Sequence, residues 1–105
     1  MQIIKIEAGE QPCMIELENT LEEFQGAVGG YIEAVTLPRT GLVVIVNEEG
    51  RLLGLPANGR MNIGPLRGQT LVGPVLVVRA DPKIGDFAGV RHCDLELIRA
   101  CWEQA

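Results

Sequence analysis

Leu42-Val43-Val44-Ile45-Val46, followed by Asn47-Glu48-Glu49-Gly50, decides the fold. An unbroken apolar run of this length, rich in β-branched residues, is too short for a helix. It is also too apolar for a half-exposed strand, so it reads as a strand covered on both faces. The four residues after it are a turn signal, predicting a three-residue hairpin loop with Gly50 in the left-handed position and a return strand over residues 51–55.

Upstream, residues 31–37 alternate as a strand, with Tyr31, Glu33, Val35 and Leu37 on one face, and Pro38-Arg39-Thr40-Gly41 breaks it. Thr20-Leu21-Glu22-Glu23 fits a capping box, and Leu21, Phe24 and Val28 follow at helical spacing. Gly29-Gly30 supplies the stop, so a short amphipathic helix is expected there. Residues 2–7 and 14–18 flank a turn at 8–12 and form an expected hairpin, with Ile15 and Leu17 on one face.

Downstream, residues 56–69 carry Pro56, Gly59, Gly64, Pro65 and Gly68 with no sustained period, which predicts a long ordered loop or a loop with one helical turn. A buried strand is expected at 75–79 after Gly73-Pro74. Asp94 is expected to cap a final helix with Leu95, Ile98 and Trp102 facing the core. The predicted order is ββαβββ, loop, β, α. This is an α+β class: a small, mostly antiparallel sheet with two helices, expected on one face. Neither Gly-x-Gly-x-x-Gly nor a Gly-Lys-Ser/Thr phosphate loop occurs, which argues against a dinucleotide fold.

Length and composition agree with one domain over residues 1–105, since 47% hydrophobic and 22% charged residues are ordinary globular values. No signal peptide or membrane span is expected. The odd set Cys13, Cys93 and Cys101 lacks a Cys-x-x-Cys pair, which speaks against a disulfide framework and points to a reducing cytoplasm. A net charge of −5 disfavours nucleic acid as a partner. Its distribution is uneven: residues 1–49 hold nine acids against Lys5 and Arg39, whereas residues 50–80 hold Arg51, Arg60, Arg67 and Arg79 and no acid. The middle of the chain is a basic island.

Four blocks, Val28-Gly29-Gly30-Tyr31-Ile32-Glu33, Val46-Asn47-Glu48-Glu49-Gly50, Gly54-Leu55-Pro56-x-Asn58 and Leu71-Val72-Gly73-Pro74-Val75-Leu76-Val77, occur in this order. In them the chain resembles a family of small proteins of phages, mobile elements and their bacterial hosts, a domain of unknown function. The matched blocks end before Asp81. The resemblance implies a phage-type accessory role in the cytoplasm of a bacterial host, directed at host defence or metabolism, and brings no reaction with it.

Catalytic motifs are sparse. His92-Cys93-Asp94 is the only nucleophile-like cluster, and sequence neighbours point apart, so no triad forms within it. A cysteine-dependent enzyme using Cys93 ahead of a helix is the weakest alternative. With one histidine, no His-based metal centre is expected, and no cofactor is implied. The region 54–68 is the expected site. Arg60 and Arg67 present planar forks to a phosphate or carboxylate, Asn58 and Asn62 read polar edges, and Tyr31 and Glu33 offer a ring and an acid. The leading expectation is a non-enzymatic protein that binds or sequesters an anionic, nucleotide-like molecule, such as a host immune signal, at the interface of a homo-oligomer. The alternative is an inhibitor or adaptor whose acidic first half docks on a host protein.

Overall fold

The computed structural model describes residues 1–105. The first hairpin is β1 (Gln2–Ile6) with β2 (Cys13–Glu16), and α1 (Leu21–Val28) follows. A second hairpin, β3 (Ile32–Leu37) with β4 (Leu42–Asn47), comes next. After a run of turns come β5 (Ala57–Met61), a single 3-10 turn at Gly64–Leu66, β6 (Thr70–Val72), β7 (Val75–Asp81), β8 (Asp86–Ala88), α2 (His92–Cys101) and β9 (Trp102–Gln104). The large sheet runs β2-β1-β7-β4-β3 with β8 beside the far end of β7, and a small sheet runs β6-β5-β9. All pairings are antiparallel. The class is α+β, with two helices and mostly antiparallel sheet.

Alternation within β1, β4 and β7 builds two cores, one on each face of the large sheet. Ile4, Ile6, Leu42, Val44, Val46, Val75 and Val77 face one way and meet Met61, Leu66, Leu71, Leu95 and Ile98. Ile3, Val43, Ile45, Leu76 and Val78 face the other way and meet Phe24 and Val28 of α1. Phe87 of β8 packs there too, edge-on to Phe24 with ring centroids 5.7 Å apart. The apolar run in β4 is therefore covered on both sides, as expected. The expectation of both helices on one face is corrected: α1 covers one side, while α2 and the small sheet cover the other.

Local chemistry explains the helix limits. Thr20 is extended (φ −133°) and its hydroxyl accepts the Glu23 N–H at 3.2 Å, while Gly29 at φ 81° closes α1 by donating to Gln25 O at 2.8 Å. Leu21, expected inside, is exposed, because Phe24 and Val28 alone fill the stripe. α2 begins at His92 rather than after Asp94. Asp94 still serves the cap, accepting the Arg91 N–H at 2.7 Å from within the first turn. Trp102, expected on α2, opens β9 instead.

Two strand expectations change. Residues 51–54 form turns rather than a strand, and Leu52 and Leu53 point to solvent. Gly50 is not left-handed; Gly54 is, at φ 68°. The expected loop at 56–69 contains the 3-10 turn and also β5, whose pairing with β6 is shifted by a bulge between Ala57 and Gly59.

Candidate functional site

The chain crosses from the large sheet to the small one after β4, and Asn47 fixes that crossing. Its buried amide donates to Val28 O at 3.0 Å, and its carbonyl accepts the Glu49 N–H at 2.8 Å, tying the turn to the end of α1. Gly50 then lies against β6, where any Cβ would stand 2.9 Å from a Val72 methyl. The close approach leaves a cleft of about 260 Å³ bounded by Glu33, residues 46–52 and residues 69–72.

One wall of the cleft carries Glu33, Glu48 and Glu49, and the other carries Arg51. Arg51 is held in place, with Nη2 donating to Thr70 O at 2.7 Å. The Thr70 hydroxyl in turn accepts from Arg60 Nε at 3.3 Å. Thr70 thus gathers two arginines from different segments onto one short strand. Arg67 lies three residues earlier, exposed after the 3-10 turn. None of Arg51, Arg60 or Arg67 has a carboxylate oxygen within 4.0 Å. Arg79, the fourth member of the basic island, instead grips the buried Asp94.

A second hollow of about 250 Å³ adjoins the first, sharing Asn47 and Glu49 with it and adding Gln25, Gly30, Tyr31 and Leu53. Tyr31 is 65% exposed there. Each hollow falls below the usual size of a small-molecule pocket, which starts at about 300 Å³, and together they reach it. A ligand spanning both meets a ring and an aliphatic side chain, then acids, then the Arg51 guanidinium.

The residues singled out from sequence are thus divided. Tyr31 and Glu33 line the adjoining hollows. Arg60 stands at a separate shallow recess with Thr70, Glu103, Gln104 and Ala105, and Asn62 donates to Glu103 Oε2 at 3.1 Å. Asn58 turns inward: it is 1% exposed, and its Nδ2 donates to Ile6 O at 2.7 Å and Gly73 O at 2.8 Å. It ties the two sheets together and offers no edge to a ligand. Sequence reasoning missed Arg51, Thr70, Glu48 and Glu49. Arg51 carried a signal as a member of the basic island, but its position in an expected strand hid it.

Cys93 is exposed on the first turn of α2, and its neighbour His92 faces Glu96 at 3.4 Å across one helical turn. Burial pushes the Cys101 thiol above its ordinary range, which keeps it protonated. No group of three or more His, Cys, Asp and Glu side chains is placed to hold a metal ion. No helix is long and apolar enough to cross a membrane.

The family model described as Domain of unknown function (DUF3846) matches residues 1–102. The chain belongs to that family. The match covers the whole of α2 and reaches β9, so membership extends past the blocks that end before Asp81. No curated protein and no solved structure matches the chain.

Proposed function

We propose that this DUF3846 protein binds a small anionic, nucleotide-like molecule in the paired hollows around the turn that follows β4, and sequesters it without turning it over. The observation that carries this reading is Arg51, which lines the first hollow with no carboxylate partner and is anchored by one nitrogen on Thr70 O, with Arg60 held beside it on the Thr70 hydroxyl. A guanidinium fixed in this way is suited to phosphate oxygens. Glu33 and Glu49 suit hydroxyl or amino groups, and Tyr31 suits a flat ring. In a phage or mobile element such a protein removes a host nucleotide signal from circulation.

The test is the thermal unfolding midpoint against nucleotides, cyclic nucleotides and ADP-ribose derivatives. A ligand at 100 times its dissociation constant adds about 2.7 kcal/mol, a shift of roughly 10 °C or more for a domain of this size. Arg51→Ala should abolish the shift while moving the midpoint of the free protein little, because exposed side chains contribute about 0.5 kcal/mol or less. A full shift in Arg51→Ala would sink the reading.

A second reading, an adaptor that docks on a basic host protein, is favoured by one feature. Leu52, 85% exposed, stands at the tip of a turn beside Glu48 and Glu49. Leu52→Asp would weaken capture of such a partner and leave nucleotide shifts intact.

A further inference from the structure

β3 is an outer strand of the large sheet and the longest outer strand of either sheet. Its bonding side can be assigned. The Glu48 N–H donates to Tyr31 O at 2.8 Å, and the register places Ile32 opposite Asn47, so the odd-numbered residues of β3 exchange hydrogen bonds with β4. Ile32, Ala34 and Thr36 therefore turn their N–H and C=O groups away from the sheet. Ala34 and Thr36 are exposed.

Outer strands usually carry protection: extreme brevity, lysine, proline, a bulge or a covering group. β6 and β9 have only three residues each, and the Arg51 guanidinium occupies the Thr70 carbonyl on β6. β3 has six residues, no lysine, no proline and an unbroken register with β4. Its one charge, Glu33, points into the cleft.

We propose that β3 pairs antiparallel with β3 of a second copy of this chain, on a two-fold axis through Ala34. The strand is self-complementary about that axis: Ala34 opposite Ala34 puts Ile32 opposite Thr36, so all three outward-facing residues pair, which an axis at Ile32 or Thr36 does not achieve, and Glu33 faces Val35, so no like charges meet. The two copies would share one continuous ten-stranded path through both large sheets. This goes beyond the ligand reading and does not depend on it.

Sedimentation of the full chain at tens of micromolar tests the pairing. The expected mass is twice 11.4 kDa, falling to 11.4 kDa in Ala34→Lys, with the far-UV spectrum unchanged. Thr36→Lys, on the same outward side, must do the same, so one misfolded variant cannot decide the matter. In a Cys13→Ser, Cys93→Ser background, Ala34→Cys should form a covalent dimer on oxidation, because the axis brings its Cα atoms to about 5.5 Å. A wild-type mass of 11.4 kDa at every concentration, a dimer indifferent to both lysines, or a dimer that Ala34→Cys does not cross-link would overturn the proposal.

Discussion

Arg79 holds Asp94 with both arms of its guanidinium, Nε to Oδ2 at 2.8 Å and Nη2 to Oδ1 at 3.0 Å, and so fastens the first turn of α2 to the long central strand β7. Asp94 is 4% exposed and also accepts the Arg91 N–H, so one carboxylate joins strand, cap and helix. Removing one partner of a buried pair strands the other, at a cost of about 3–5 kcal/mol. The Arg79 side chain retains 21% exposure, so the lower end applies: Asp94→Ala should cost roughly 3 kcal/mol in chemical denaturation.

The same carboxylate sets an acid limit. Burial alone would raise its pKa, but the hydrogen bonds from Arg79 and the Arg91 backbone outweigh burial and hold it below the usual aspartate range. With the folded value depressed, its stabilisation is complete well above the unfolded value of about 3.9 and is lost as pH falls through the folded value. The unfolding midpoint measured from pH 7 downward should fall in that acidic window, and Asp94→Asn should flatten the fall.

Gly59 has no room for a side chain. A Cβ there would lie 2.5 Å from both the Glu103 carbonyl oxygen and Trp102 Cζ2. Gly59→Ala should therefore lift β9 from β5, costing about 1–3 kcal/mol as overpacking. Trp102 is the only tryptophan, so a red-shifted emission at unchanged helix content is the expected signature.

Asn58→Ala should cost about 2 kcal/mol or more, because the buried Ile6 and Gly73 carbonyls both lose their donor. Asn58→Asp should be worse, since it adds a buried charge and removes the same donors. Urea midpoints of the two variants check the order.

Thiol accessibility divides the cysteines. Cys13 and Cys93 are exposed, while Cys101 is half-buried with its pKa raised. A native-state thiol titration should show two fast equivalents, with the third released on unfolding.

Much of the fold was legible because burial writes itself into composition. An apolar run such as Leu42 to Val46 can only be a strand covered on both sides, and the Thr20 and Gly29 caps bound α1 by local chemistry. What failed did so where long-range contact overrides local pattern. Leu52-Leu53 looked like strand but stands exposed in a turn. β5 looked like loop because its glycine and bulge serve Trp102, more than forty residues away. The site followed the same rule: Tyr31, Glu33 and Arg60 could be chosen by residue type, but only the folded chain shows that Thr70 collects Arg51 and Arg60, or that Asn58 turns inward.

The strand order has a consequence for synthesis. β7 lies between the two early hairpins and pairs with both, β1 on one side and β4 on the other. Until Val75–Asp81 has left the ribosome, the hairpins made before it have nothing to join them, and their apolar inner edges stay open. Between the completion of β4 and the arrival of β7 the nascent chain is thus two unfinished halves, and it becomes a domain when one late strand slides between them.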